Sequence, residues 1–198
     1  MPVTNILVAT KNPGKIVEIK ELLALCPLKI VSLSELGDIA DIAETGQTFA
    51  ENALIKAHYY YKQTGILAIS DDSGLCVDAL AGAPGIYSAR YAGVGATDQQ
   101  RCAMLLAALA NVAPPQRTAH FSCALALVGT GIEQIFIGTV AGRILLAPQG
   151  HNGFGYDPIF EYPLLSKSFA ELSRAEKAAL SHRGQALAQL QDYLASMY

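Results

Sequence analysis

Asp71 and Asp72 stand side by side at the end of an apolar run, Ile66-Leu67-Ala68-Ile69-Ser70, and are followed by Ser73 and Gly74. A short β-rich run bounded by glycines reads as a buried strand, and the ends of such strands are where α/β proteins place their ligands. Neighbours on an extended chain point to opposite faces, so one carboxylate can face a ligand while the other turns to backbone donors or to residues behind it. Carboxylates placed in this way can hold a hard cation or take a proton from an attacking water. The same four residues also suit a plain turn.

Other residues along the chain could join them. Lys11-Asn12-Pro13-Gly14-Lys15 follows the strand Asn5 to Thr10 and precedes a helical pattern of Ile16, Ile19, Leu22, Leu23 and Cys26. Backbone N–H groups at a helix start carry partial positive charge, so this turn with its two lysines can hold a phosphate. Solvated lysines on a surface turn are the plain alternative. It is not a Walker A loop, because Ala9 occupies the first glycine position and Ile16 follows Lys15 where Ser or Thr is required. Glu44 lies just before a helix start, where it either favours the helix dipole or completes a metal site with Asp72. The loop Pro148 to Phe160 contains Gly150, Gly153 and Gly155, which allow close backbone approach to a ligand, while Phe154 and Tyr156 offer flat faces for a base. A tight turn with two structural aromatics would need the same residues. Finally, Gly184 permits a bend that would turn His182 and Arg183 inward, although a solvated pair is equally in keeping with the types.

The elements that must position these groups alternate. A strand at 29–33 leads into the loop Asp38 to Gly46, then a helix capped by Thr48 and Glu51 and ended at Gly65 returns the chain to the Asp71-Asp72 strand. Strand, helix, strand, helix, strand is the signature of an α/β sheet. A helix capped by Thr97 and Gln100 follows, then β-rich runs at 118–128 and 133–140 joined through Gly129-Thr130-Gly131, a short strand at 143–145, and a helix capped by Ser173 and Glu176 that carries Lys177. The final helix resumes at Leu187, Leu190 and Leu194. With 198 residues, 52% of them hydrophobic, the chain can bury one sizeable core or two packed lobes. A formal net charge of -3 without a basic run argues against a nucleic-acid surface. The four cysteines, Cys26, Cys76, Cys102 and Cys123, form no Cys-x-x-Cys pair and read as reduced core residues. No stretch reaches the about 18 to 20 apolar residues of a membrane span, and the first strand begins too early for a signal peptide, so a cytoplasmic protein without a membrane partner is expected.

Taken in order, Thr10-x-Asn12-x-x-Lys15, Glu44-Thr45-Gly46, Glu51-Asn52-Ala53, Asp71-Asp72-Ser73-Gly74, Ala83-Pro84-Gly85, Ser88-Ala89-Arg90-Tyr91, Gly153-Phe154-Gly155-Tyr156-Asp157-Pro158 and Ser181-His182-Arg183 resemble the inosine/xanthosine triphosphate pyrophosphatases, the Ham1-like family. Each motif alone is weak, whereas the ordered set spans nearly the whole chain. The resemblance implies an α/β fold with an elongated mixed β-sheet flanked by helices, in two lobes with a central active cleft. A single domain over 1–198 is expected, divided approximately into 1–80 with 146–198, for the nucleotide and phosphates, and 81–145, for a second lobe and dimer contacts. The resemblance also implies a homodimer and Mg²⁺-dependent conversion of dITP, ITP or XTP to the monophosphate and pyrophosphate. By resemblance Thr10, Asn12 and Lys15, with Lys11, Pro13 and Gly14 of the same turn, bind the triphosphate. Asp72, the expected catalytic residue, serves by resemblance as metal ligand or proton acceptor, with Ser73 beside the substrate; Glu44 with Asp72 is the expected metal pair. Phe154, Gly155, Tyr156, Asp157, Lys177, His182 and Arg183 match the family's nucleotide-binding positions. Ala43 departs from the pattern, since relatives often carry another acidic residue there.

The implied chemistry suits these residue types. Mg²⁺ takes oxygen ligands, keeps waters and bridges carboxylates to phosphates, so no all-protein cage is expected. A donor-rich His182-Arg183 pair complements the six-carbonyl of inosine or xanthosine and opposes the amino group of adenine. Two rivals stand beside this reading. A nucleotide-binding regulator would use the glycines and lysines, but carboxylates near a polyanion repel it unless a metal lies between. A phosphatase releasing orthophosphate is the other, and its products would differ.

Overall fold

The computed structural model describes residues 4–24, 26–37 and 39–196; Asp38 of the expected loop lies outside them. Within the described residues β1 (Thr4–Val8) leads through α1 (Pro13–Leu23) to β2 (Leu28–Ser32), and α2 (Phe49–Thr64) leads to β3 (Leu67–Val77). Then come α3 (Asp98–Ala108), β4 (Thr118–Gly129), β5 (Ile132–Ile144), β6 (Phe160–Tyr162), β7 (Lys167–Ser168), α4 (Arg174–Leu180) and α5 (His182–Ser196). The strands form one sheet in the order β2-β1-β3-β4-β5-β6-β7. β1 is parallel to β2 and β3, a pairing that needs a crossover such as α1 and α2 supply. β5, β6 and β7 are antiparallel. β4 and β5 are neighbours joined by two residues, a connection that only antiparallel strands allow. The expected mixed sheet flanked by helices is therefore present.

Local chemistry sets the ends of the helices. Asn12 caps α1 by accepting the Lys15 N–H, and Pro13 follows in the first turn, where its missing N–H costs nothing. Thr48 caps α2, and Gly65 ends it in the left-handed conformation that glycine adopts without strain. The Thr97–Gln100 and Ser173–Glu176 pairs form reciprocal capping boxes on α3 and α4. Glu51 departs from the expected box, because its carboxylate accepts the Gln47 N–H one residue before the cap.

The chain forms two compact units, 1–72 with 123–138 and 183–198, and 73–122 with 139–182. β3, β4 and β5 each contribute residues to both units. In the first unit β4 buries both faces. Cys123, Leu125 and Leu127 join Ile6, Val8 and Ile19 with Leu187 and Leu190 of α5. Ala124, Ala126 and Val128 meet Ala53 and Ala57 of α2, small side chains that let helix and sheet approach closely. The second unit packs Leu75, Val77, Leu105 and Leu109 with Phe121, Phe160 and Phe169. Here the buried Arg117 guanidinium donates to the carbonyls of Leu109, Val112 and Leu145 and so ties three segments of the unit together.

Three expectations need correction. β3 does not end at the aspartates but runs on to Val77, carried by the alternating apolar side chains Leu75 and Val77. What ends there is the parallel ladder: β1 pairs with β3 only through Val8 opposite Ile69, and the Ala9 N–H bonds to the Ile69 carbonyl just before the acidic pair. The short strand expected at 143–145 is the tail of β5, and β6 and β7 were not anticipated. The break near Gly184 falls at Ser181, whose extended backbone separates α4 from α5, so Gly184 lies within the first turn of α5.

Candidate active site

In the first unit, two carboxylates that are adjacent in sequence have different partners. Asp71 is fully buried, and its carboxylate is shared by Lys15 Nζ, Arg183 Nε at 2.8 Å and the Cys123 thiol at 3.1 Å. Burial alone would raise its pKa, but the Arg183 and Lys15 charges outweigh it and hold the carboxyl well below the usual range. Arg183 in turn pairs through Nη1 with Glu18, one turn along α1 from Lys15. Glu18, Arg183, Asp71 and Lys15 thus make a chain of alternating charge. Burial, with the Asp71 charge beside it, pushes the Cys123 thiol well above its ordinary pKa, so it stays protonated.

Asp72 is served by Lys56 of α2. The Lys56 ammonium lies 3.3 Å from Asp72 Oδ1, 2.8 Å from Glu44 Oε1 and 2.8 Å from the Asp71 carbonyl. Asp72 Oδ2 is buried with no hydrogen-bond partner among the described residues. Burial pushes the Asp72 carboxyl up, with Glu44 and Asp71 adding to the shift, and Lys56 and Lys15 only partly oppose it. A carboxylate of raised basicity is a better proton acceptor than an ordinary one. Burial would lower the Lys56 pKa, but Asp72 and Glu44 outweigh it, so the side chain remains a cation.

Glu44 and Asp72 have the chemistry of a site for a hard cation: both offer oxygen, they share one positive neighbour, and one Asp72 oxygen lacks a partner. Among the described residues no group of three or more His, Cys, Asp or Glu side chains forms a closed cage. Beside this cluster the α1 turn presents Thr10 and Gly14 half-buried and Lys11, Asn12 and Pro13 exposed. Thr10 Oγ1 accepts the Asn12 N–H, and Lys11 pairs at 2.9 Å with exposed Asp41. Lys15 alone of the two lysines is tied to the acidic pair.

The second unit holds the remaining expected residues. Lys177 is buried, lies 2.5 Å from Asp157 Oδ2 and stands 4.6 Å from the centre of the half-buried Phe154 ring. Asp157 Oδ2 also accepts the Phe154 N–H, so one carboxylate fixes both ring and ammonium. Gly153 has φ +75°, and a Cβ there would overlap Asp157 Oδ2, so the turn requires glycine. The Gly155 N–H donates to Asp98, and the Gly155 carbonyl accepts from the Cys102 thiol. His182 is buried with its ring flat on Phe121 at 4.8 Å. Ser73, next after Asp72, is half-buried.

Two expectations change here. Tyr156 does not offer a face to a ligand; it is buried in the unit's core, and its hydroxyl donates to the Ser88 carbonyl. His182 and Arg183, expected to act as a pair, have different partners: the His182 ring lies on Phe121, whereas Arg183 is held by Asp71 and Glu18. Lys56 was not singled out from the sequence, although a lysine inside the apolar stripe Ala53, Ala57, Tyr60 of a helix is the signal that could have found it.

A model of the Ham1 family matches residues 6–193. The chain is 52% identical over 192 residues to a dITP/XTP pyrophosphatase of Yersinia pseudotuberculosis, covering 96% of this chain and 97% of that one. It is 47% identical over 186 residues to a dITP/XTP pyrophosphatase of Streptomyces coelicolor, covering 92% and 93%. Among solved structures, a HAM1 protein from Coxiella burnetii is similar with a TM-score of 0.90 at 45% identity, over 98% of this chain and all of that one. A dITP/XTP pyrophosphatase from Mycobacterium abscessus is similar with a TM-score of 0.77 at 44% identity, over 94% and 98%.

Proposed function

Because the chain belongs to the Ham1 family, we propose that it hydrolyses non-canonical purine nucleoside triphosphates, dITP, ITP and XTP, to the monophosphate and pyrophosphate. The observation that carries the reaction is Asp72: a buried carboxylate of raised basicity with one oxygen lacking a partner, beside Glu44 and Lys56. A polyanionic substrate would be repelled by Glu44 and Asp72 unless cations accompany it. We assign the metal to Mg²⁺ held by Glu44 and Asp72; when bound it neutralises phosphate charge and polarises the phosphoryl oxygens.

The chain's own residues then have separable tasks. Lys15, the start of α1, Thr10 and Asn12 take the outer phosphates, with Lys11, Pro13 and Gly14 completing the turn. Lys15 arrives there oriented, because Asp71 stays ionised and is itself fixed by Arg183 and Glu18. Asp72 accepts the proton of the water that attacks the α-phosphorus, and Ser73 lies next to it on β3. Lys56 keeps Glu44 and Asp72 close in spite of their like charge. On the base side Phe154 supplies a flat ring, Asp157 and Lys177 hold it, Gly155 and Tyr156 shape the turn, and His182 donates to the purine six-carbonyl. Arg183, with Nε and Nη1 on Asp71 and Glu18, serves the phosphate side as a positioning residue. We further propose that the enzyme works as a homodimer in the cytoplasm, without nucleic acid or membrane partners; no helix among the described residues is long and apolar enough to cross a membrane.

The test is a panel of dITP, ITP, XTP, GTP and ATP with Mg²⁺, followed by product identification. The expected products are monophosphate and pyrophosphate. A site that hydrogen-bonds the six-carbonyl should disfavour ATP by roughly 10⁴ in kcat/KM. Orthophosphate as first product would favour a phosphatase, and binding without turnover would favour a regulator.

A further inference from the structure

The loop 39–46 carries Glu44 without belonging to a strand or helix, so no ladder fixes that carboxylate. Its position comes from α2. The Gly46 N–H donates to Asn52 Oδ1 at 2.8 Å, and the Gln47 N–H donates to Glu51 Oε2 at 2.6 Å. Four residues after Asn52, on the same side of the helix, Lys56 reaches Glu44 and Asp72. Ser70 Oγ bonds to the carbonyl of Ala53, so the approach to the acidic pair is tied to the same helical turn. Helix α2 is therefore the common support for both carboxylates.

Asn52 is the buried member of this support, fully excluded from solvent. Its Nδ2 has no hydrogen-bond partner among the described residues. A buried donor without a partner costs about 1–3 kcal/mol, which an apolar side chain at the same place would avoid. The acceptor on the same amide is what ties the loop to α2 here. The fit is also close, since a Cβ on Gly46 would lie 2.7 Å from Glu51 Cβ and 2.8 Å from Asn52 Oδ1.

We propose that Asn52 is a positioning residue that sets Glu44 relative to Asp72, and so determines how well the two carboxylates bind their cation. The proposal rests on the assignment of Glu44 and Asp72 to the metal. Outer residues that orient metal ligands typically change metal affinity by roughly 10- to 100-fold when removed, and the same scale is expected here. Asn52→Leu removes the acceptor together with the unpartnered donor. Gly46→Ala keeps Asn52 and pushes the loop off it.

The experiment measures binding of Mn²⁺ alone by electron paramagnetic resonance, and the Mg²⁺ concentration for half-maximal dITP hydrolysis. The proteins are the wild type, Asn52→Leu, Gly46→Ala, Glu44→Gln and Asn52→Leu combined with Glu44→Gln. Asn52→Leu and Gly46→Ala should each weaken Mn²⁺ binding and raise the Mg²⁺ requirement at least about tenfold, while kcat at saturating Mg²⁺ stays within about threefold of wild type. Added to Glu44→Gln, Asn52→Leu should have no further effect, because the carboxylate it positions is gone. Wild-type Mn²⁺ binding in Asn52→Leu, or a kcat loss that saturating Mg²⁺ does not restore, overturns the proposal. If Glu44→Gln itself leaves metal binding unchanged, the metal assignment falls and takes the proposal with it; if Glu44→Gln shifts it and Asn52→Leu does not, only the proposal falls. Should Asn52→Leu fail to fold, Gly46→Ala gives the same outcomes.

Discussion

Replacing Arg183 with methionine removes the guanidinium from the centre of the alternating-charge chain while keeping much of the side chain's length. Arg183 and Asp71 are each 1% exposed, and Arg183 Nε stands 2.8 Å from Asp71 Oδ2 with Nη1 on Glu18. Taking one partner from a buried pair costs about 3–5 kcal/mol, because the remaining charge stays dry. For a chain of this length that is about 2–4 °C per kcal/mol, so the melting temperature should fall by roughly 6–20 °C. The loss should depend on pH. The Asp71 carboxyl is depressed in the folded state, against burial, by Arg183 and Lys15. Its stabilising effect is present above the ordinary value of 3.8 and is lost as pH falls through the folded value. The deficit of Arg183→Met should accordingly be full near about pH 7 and shrink as the solution is acidified below about pH 4. Thermal unfolding of both proteins across that range is the assay, with dITP and dATP kinetics on the folded enzymes. A positioning role raises KM for the triphosphate and leaves the preference for dITP over dATP in place. A deficit below about 1 kcal/mol, or one constant across pH, would refute the buried-pair argument, and a collapsed dITP preference would return Arg183 to the base.

Asp72→Asn should lower kcat by about 10²–10⁴ and yet melt higher than wild type near neutral pH. Burial raises the folded Asp72 pKa, so its favourable contribution exists below the ordinary value and is lost as pH rises; a lower melting temperature would contradict this. Gly153→Ala places a methyl against Asp157 Oδ2 in a left-handed turn, at about 1–2 kcal/mol for the backbone alone. It should weaken dITP binding by calorimetry about tenfold or more, and unchanged affinity would separate this turn from the nucleotide. Arg117→Met removes the guanidinium from the carbonyls of Leu109, Val112 and Leu145 and should cost about 1–3 kcal/mol in unfolding measurements. kcat/KM per folded molecule should not change, and a selective kinetic loss would give Arg117 a role the structure does not show.

The parallel half of the fold was legible because local signals agreed there. Asn12, Thr48 and Gly65 mark helix ends by their own backbone chemistry, and β1 and the start of β3 are short apolar runs beside them. The full length of β3 was not, since Asp, Ser and Gly in sequence suit a turn and only its neighbours in the sheet keep the strand extended. Within the candidate site, the different surroundings of Asp71 and Asp72 follow from strand alternation, which sequence supplies. The partners themselves do not. Lys56 reaches the acidic pair across sixteen positions to Asp72, and Arg183 reaches Asp71 across 112. Tyr156 looked like a ligand face because composition cannot tell a ring that covers a base from one that fills a core.

The central claim is that a water attacks the α-phosphorus while the outer phosphates leave as a unit. Hydrolysis of dITP in ¹⁸O-labelled water, with both products read by ³¹P NMR or mass spectrometry, tests it most directly. One label per turnover in the monophosphate, with unlabelled pyrophosphate, is the result expected. Label in the pyrophosphate, or in orthophosphate released first, would place the attack elsewhere and contradict the account.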